Sequence, residues 1–375
     1  MKRRSLGIYI HIPFCIRKCN YCDFCSFPNS SPNFMERYTN ELCRRIKDFS
    51  PLAKEHTVDT VYFGGGTPTL LPVKCFEKLL DTLKTCFDIA KDAEISCEAN
   101  PASITKDGLS ALRDLGINRL SIGLQSANDN ELMLLGRVHS FEDFKRTFAE
   151  AREVGFENIS ADLMYGIPDQ TKKSFNNTLR ELIALSPEHI SAYGLKIEDG
   201  TAFSKNMQKL SLPDEDTEYE MYCEATELLA DAGYHRYEIS NFAKSGFESR
   251  HNLRYWRLDE YIGFGVAAHS FFGGERFGNS RDIDAFLNGE NIVSESYTPT
   301  EKDILSEYVM LRLRLASGLE REAFKARFGV SLDSAFPTLK SYVENNFLSD
   351  SGASVSFTTK GFFVSNYILS DLLDL

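Results

Sequence analysis

Over its first two hundred residues the chain alternates short β-branched or apolar runs with segments of helical spacing, and this alternation limits the fold more than any other feature. The runs are GIYIHI from Gly7, VDTVYF from Val58, AEISCEA from Ala93, NRLSIGL from Asn118, ENISADLMYG from Glu157 and HISAYGL from His189. Between them, apolar residues recur at helical spacing over Phe34–Phe49, Val73–Phe87, Lys106–Leu115, Phe141–Val154 and Lys172–Leu185. Strands joined by helical crossovers pair in parallel, with right-handed connections. The expected class is α/β. Six such units suit an open doubly wound sheet or a barrel, closed or partial, and spacing alone does not choose between them.

Beyond the sixth run, Thr201 to Asp231 reads as a polar loop leading into an amphipathic helix. Tyr234 to Ser270, rich in aromatics, glycine and histidine, gives no sign of regular structure. From Thr300 the pattern is helix (Glu301 to Leu315), helix (Arg321 to Phe328), helix (Ser331 to Asn346), the strand-like SVSF and a last helix after Lys360. That order is similar to a winged helix. The expected organisation is a core over 1-200, a connecting region over 201-299 that completes the site, and a small winged-helix-like α+β domain over 300-375.

Winged helices often bind DNA, but residues 301–375 hold eight Lys or Arg against ten Asp or Glu, a net of −2. The whole chain has 42 Lys plus Arg and 54 Asp plus Glu, a net of −12. Such a charge repels a phosphate backbone, so nucleic acid is excluded as the main ligand. No run approaches the ~20 apolar residues that span a bilayer, and the start MKRRSLGIYIHIPFC is too short and too soon followed by cysteines for a signal peptide. The expected localisation is cytoplasmic, with no integral membrane segment.

Of nine cysteines, four lie between Cys15 and Cys25. Cys15, Cys19 and Cys22 form C-x3-C-x2-C in a loop-like stretch directly after the first run. Three thiolates on one short loop suit a soft metal centre, an iron–sulfur cluster or zinc. Structural zinc usually takes four ligands as two spaced pairs, and recruiting Cys25 would crowd all four into eleven residues. Disulfides are rare in the cytosol. A cluster on three cysteines leaves one iron open to a ligand.

Barrels and open parallel sheets bind ligands at the carboxyl ends of their strands, so the polar residues there are candidates. The second run ends in Gly64-Gly65-Gly66-Thr67, where missing side chains let the backbone approach a ligand, a tight turn being the alternative. The third ends in Glu98, a carboxylate able to accept from ribose hydroxyls or an ammonium group. The fourth delivers Gln125, followed twelve residues later by Arg137, whose guanidinium suits a carboxylate. The fifth carries Asp162 between Ala161 and Leu163, where an unused charge is costly, and the sixth ends near Lys196.

The cysteine loop resembles that of the radical S-adenosylmethionine (radical SAM) superfamily. The resemblance implies a partial (β/α)6 barrel, and a [4Fe–4S] cluster on Cys15, Cys19 and Cys22 whose open iron is chelated by S-adenosyl-L-methionine. The phrases YIHIPFC, GGGTPT, EANP, SIGLQS, GRVHS, DLMYGIPDQT and TTKGFFVSN extend the likeness along the chain to the oxygen-independent coproporphyrinogen III oxidase family. By position, Tyr9, Glu98 and, largely through its backbone, His269 match contacts to the cluster-bound cosubstrate. Tyr21, Gly65, Gly66, Thr67, Gln125, Arg137, Asp162 and Lys196 match a second S-adenosylmethionine site or the shared pocket wall.

The oxidases carry a fourth cysteine two residues after the third, where this chain has Phe24, with Cys25 one residue later. They also begin with a long segment, whereas eight residues precede Tyr9 here. Both departures are shared by the haem chaperone subgroup HemW. So is His251-Asn252-Leu253-Arg254-Tyr255-Trp256, which matches that subgroup's HNxxYW. An imidazole at His251 can ligate haem iron, while Tyr255 and Trp256 offer flat faces to a porphyrin; a hydrogen-bonded packing histidine is the alternative. His11 and His139 are weaker candidates, and His11 on the first run reads as structural. The resemblance thus implies a haem carrier that passes haem to an acceptor protein, with a reductase or flavodoxin-type electron donor. The alternatives are oxidative decarboxylation of coproporphyrinogen III to protoporphyrinogen IX, and a scaffold without chemistry.

Overall fold

In the computed structural model, which describes residues 3–374, the six runs are six parallel strands paired in chain order. They are β1 (Arg4–Ile12), β2 (His56–Gly65), β3 (Asp88–Ala99), β4 (Arg119–Gln125), β5 (Ile159–Tyr165) and β6 (His189–Gly194). The returning helices are α1 (Pro32–Phe49), α2 (Val73–Cys86), α3 (Lys106–Asp114), α4 (Asp129–Leu135), α5 (Phe141–Glu153) and α6 (Lys172–Leu185). Of these only α4 went unread, because seven residues are too few to show a period. Helix α1 shows how such segments form. Ser31 caps it by accepting from the Phe34 N–H, Pro32 stands in its first turn, and its buried stripe is Met35, Tyr38, Leu42, Cys43 and Ile46. Each such side chain contributes about 1.5–3 kcal/mol on full burial.

Alternate strand residues point to opposite faces. In β4, Leu120, Ile122 and Leu124 are fully buried in the core, while Arg119, Ser121, Gly123 and Gln125 line a cavity on the other face. Tyr62, Glu98, Ser121, Asp162 and Ser191, one from each of β2 to β6, line that same cavity. Only a curled sheet brings five strands around one space, so the six strands form a partial barrel.

The stretch from Tyr234 to Ser270, read as irregular, is ordered. After α7 (Glu215–Asp231) come β7 (His235–Arg236), β8 (Asn241–Ala243), α8 (Arg250–Arg257) and β9 (Tyr261–Phe264). Strand β9 pairs in parallel with β1, a seventh parallel strand that the sequence reading missed. The antiparallel β10 (His269–Phe272), β11 (Glu275–Asn279) and β12 (Val293–Tyr297) extend that edge. The sheet order among the described residues is β12-β11-β10-β9-β1-β2-β3-β4-β5-β6-β8-β7.

The C-terminal segment begins with α9 (Glu301–Leu313) and β13 (Leu319–Glu320), followed by α10 (Arg321–Phe328). Strands β14 (Leu348–Asp350) and β15 (Ser354–Phe357) complete a small antiparallel sheet with β13. The helix expected over Ser331 to Asn346 is two short ones, Leu332–Ala335 and Leu339–Glu344. Pro337 breaks it, since proline lacks an N–H and pushes Phe336 out of the helical region. Among the described residues no helix is long and apolar enough to cross a membrane.

Candidate functional site

The cysteine loop is pinched at its base by a two-residue parallel pairing of Phe14 and Cys15 with Phe27 and Pro28. Phe14 is fully buried and meets the rings of Tyr38 and Phe34 edge-on at 5.3 and 6.2 Å. Farther along the loop, Asn20 donates through its backbone to the Leu135 carbonyl and through Nδ2 to the Leu134 carbonyl, at 2.9 and 2.8 Å. Those carbonyls end α4, whose cap Gly136 has a φ of 75° and packs so closely on Asn20 that a Cβ would lie 3.1 Å from it.

The glycine turn after β2 meets this loop from the other side. Gly65 has a φ of 118°, and a Cβ on Gly66 would lie 2.9 Å from Cys15 Sγ. Both glycines are therefore dictated by local geometry, one by conformation and one by close approach. Thr67 Oγ1 donates to Cys15 Sγ and Arg137 Nη1 to Cys19 Sγ, each at 3.7 Å. Burial raises the Cys15 thiol and pushes Cys22 up to about 11, with nearby Cys19 adding to both.

Two acids face the cavity from the strands, each held by its own donors. Glu98 accepts from the Tyr62 hydroxyl at 3.0 Å and the Gly65 N–H at 3.1 Å. Burial, with the charge of Asp162 added, pushes its carboxyl up to about 7. Asp162 accepts from Ser121 Oγ at both oxygens, at 3.1 and 3.0 Å, and from Ser160 Oγ at 3.4 Å; burial raises its pKa. Gln125 ends β4 at a φ of 69°, a left-handed conformation unusual for a residue with a side chain and a form of local strain found at functional sites. Arg137 Nη2 donates to the Gly123 carbonyl at 3.0 Å, and Gly123 is small because a Cβ there would lie 3.0 Å from that nitrogen.

Cys15, Cys19, Tyr21, Cys22, Gly65, Gly66, Thr67, Glu98, Gln125, Arg137, Asp162 and Lys196 all line one cavity of about 380 Å³. Lys196 stands at its rim, 80% exposed and paired with Glu198 at 2.6 Å. Tyr9 lies one layer behind, stacked on Tyr62 with ring centres 6.2 Å apart and hydrogen-bonded to His11 Nδ1 at 3.0 Å. Among the described residues no three His, Cys, Asp or Glu side chains are gathered for a single metal ion. The sulfurs that hold a polynuclear cluster bind different irons and need no common point.

The side chains of His269, His251, Tyr255 and Trp256, like that of Tyr9, are not on the cavity wall. His269 was expected to act largely through its backbone, and its side chain is 63% exposed and 3.2 Å from Glu295. His251 is 1% exposed, with Nδ1 bonded to Thr60 Oγ1 at 2.9 Å and Nε2 to the Tyr255 hydroxyl at 2.8 Å. Both ring nitrogens are thus occupied, and burial lowers its pKa to about 3. Tyr255 is turned inward by that bond, and half-buried Trp256 is not part of the cavity wall. His11 is structural as expected, its Nε2 bonded to the Cys25 carbonyl at 2.9 Å. Tyr62, Arg119, Ser121, His189, Ser191 and Tyr193 also line the cavity wall and were not among the candidates read from the sequence. Their signal was alternation: each lies two or four residues from a residue already singled out or from another of the group.

Residues 9–182 match the Radical SAM superfamily and residues 300–364 match the HemN C-terminal domain. A relative from Bacillus subtilis (strain 168), named heme chaperone HemW, is 37% identical over 97% of this chain and 98% of its own. A relative of the same name from Escherichia coli (strain K12) is 35% identical over 98% of both. The chain belongs to the HemW family. The solved coproporphyrinogen III oxidase (HemN) from Escherichia coli, described as a Radical SAM enzyme, superposes on this chain with a TM-score of 0.86. It is 25% identical, and the match covers 100% of this chain and 91% of that one. Phe24, the residue that turned the resemblance toward HemW, is 61% exposed at the cavity wall, whereas Cys25 is buried in the core at 7%. The fourth cysteine of the segment therefore faces away from the other three.

Proposed function

We propose that this chain is a radical SAM haem chaperone, which holds a [4Fe–4S] cluster, S-adenosyl-L-methionine and haem and passes the haem to an acceptor protein. The observation that carries the reading is the division of the cysteine segment: Cys15, Cys19 and Cys22 face one cavity, while Phe24 takes the next exposed position and Cys25 turns inward. The donor set suits a cluster. Three soft sulfurs lie on one braced loop, and the Thr67 and Arg137 donors offset the charge that thiolates bring.

Bound together, cluster and sulfonium supply one-electron chemistry, with the electron coming from a reductase or flavodoxin-type partner. The chain's own part is to bind and orient. Glu98, fixed by Tyr62 and Gly65, keeps lone pairs for an ammonium group or ribose hydroxyls. Arg137, anchored on the Gly123 carbonyl, presents guanidinium N–H groups to a carboxylate. Gly65, Gly66 and Thr67 offer backbone groups, and Tyr9 stiffens the wall behind Tyr62. Tyr21, Gln125, Asp162 and Lys196 complete the polar lining. With both nitrogens of His251 in use and Tyr255 turned inward onto His251 and Tyr261, Trp256 is the residue of the HNxxYW segment left to offer a flat face to a porphyrin.

A second reading, oxidative decarboxylation of coproporphyrinogen III, is favoured by the close superposition on the oxidase. Anaerobic reconstitution followed by parallel assays separates the two. The expected result is about four irons and four sulfides per chain, saturable haem binding, and no turnover of coproporphyrinogen. Turnover at an enzymatic rate overturns the chaperone reading. Cys19→Ala is expected to lose the cluster's absorbance and iron, and a variant that assembles it normally overturns the assignment of the three cysteines.

A further inference from the structure

Arg119 opens β4 at the floor of the barrel, 2% exposed, with its side chain on the cavity wall. Its Nε has no hydrogen-bond partner, and among the described residues no carboxylate lies within ion-pair distance of its guanidinium. The neighbouring buried arginine is treated differently. Arg254 pairs with Asp59 and donates to the Glu260 carbonyl at 2.8 Å and to Thr60 at 3.2 Å. Asp162, whose charge Arg119 does feel across the cavity, makes no direct bond to it and is committed to Ser121 and Ser160. A guanidinium stays charged at any physiological pH and carries five donors in a planar fork, so burying it without an acceptor is costly.

We propose that Arg119 is the anchor for a ligand carboxylate at the floor of the cavity, a binding position separate from the rim where Arg137 stands. Gln125 stands six positions along β4 from Arg119, which at ~3.3 Å per residue places the two Cα atoms ~20 Å apart along the strand. An elongated ligand gripped at the rim therefore reaches Arg119 only with its far end. The identity of that ligand rests on the function proposed above: haem brings propionates and a second S-adenosylmethionine, beyond the one held at the cluster, brings an amino-acid carboxylate, and the guanidinium fork fits either.

The test uses the full reconstituted chain, wild type and Arg119→Gln, with haem, haem dimethyl ester and S-adenosylmethionine as probes. Free of ligand, Arg119→Gln is expected to melt at or above the wild-type temperature, because it removes a buried charge that has no direct acceptor. Its haem affinity is expected to fall about 10- to 100-fold, the loss typical of hydrogen bonds to a charged group, while binding of the ester stays at the wild-type level. A fall confined to S-adenosylmethionine also supports the anchor and assigns the carboxylate to the cosubstrate. Arg119→Lys, which keeps the charge, is expected to bind between the two. Unchanged affinity of Arg119→Gln for haem and S-adenosylmethionine overturns the proposal, and so does a variant that melts far below wild type and loses the ester equally, the mark of a structural arginine. Wild type that binds neither ligand overturns the proposed function and the anchor together.

Discussion

Glu98 is caught between two donors that favour its charge and a burial that opposes it, and burial wins: its carboxyl lies at about 7 against an ordinary 4.5. Below pH 4.5 the group is protonated in both folded and unfolded chains and burial costs nothing. Between pH 4.5 and 7 the unfolded chain ionises first, so the folded state loses stability as pH rises, and above 7 the loss is constant. Glu98→Gln removes this cost. The variant's stability relative to wild type is expected to rise across that window and level off about 1–3 kcal/mol higher than at pH 4. Urea denaturation at a series of pH values measures it, and a difference that does not vary with pH shows that the carboxyl is not perturbed. At this scale the sequence was legible where one short loop sufficed, since Cys15, Cys19 and Cys22 do line one cavity. Between its two readings of His251, haem ligand or packing histidine, it could not choose, because whether an imidazole is free depends on Thr60, 191 residues away.

Helix α8, like α4 and β9, was concealed in the sequence, and its burial pattern explains why. Its buried residues are His251 and Arg254, so a search for apolar periodicity finds nothing where the helix faces a polar barrel interior. Spacing of three is present, but in the wrong chemistry. The helix is held at its start by β3: Glu94 accepts from the backbone N–H groups of Arg250 and His251, at 3.0 and 3.1 Å. A carboxylate there satisfies two open donors and the positive end of the helix dipole. Gly7 on β1 has no side chain because Arg254 occupies the space a Cβ would take. Glu94→Ala is expected to cost about 2–3 kcal/mol and to speed hydrogen exchange of the α8 amides while α1 and α2 stay protected. Uniform loss of protection would show instead that α8 has no separate dependence on Glu94.

Over the whole molecule, strand order was legible because sequential β–α units leave few topologies open. Curvature was not, since it is set by side chains of five strands meeting across a shared space. The C-terminal segment is joined to the barrel region through Arg236, whose guanidinium lies 4.2 Å from the Phe362 ring and 5.8 Å from the Tyr222 ring of α7, with a hydrogen bond to Tyr222 at 3.2 Å. Arg236→Ala is expected to lower stability by about 1–2 kcal/mol and to release a C-terminal fragment sooner in limited proteolysis. Unchanged digestion would mean that other contacts hold the segment. The floor of the barrel has a consequence for how the protein is made. Asp59 and Glu94 emerge from the ribosome long before Arg254 and the α8 amides that satisfy them. A nascent chain ending at α7 holds all six strands but neither α8 nor β9, so the parallel sheet is finished only once residue 264 has been synthesised, and until then the edge of β1 that β9 will cover stands open to other strands.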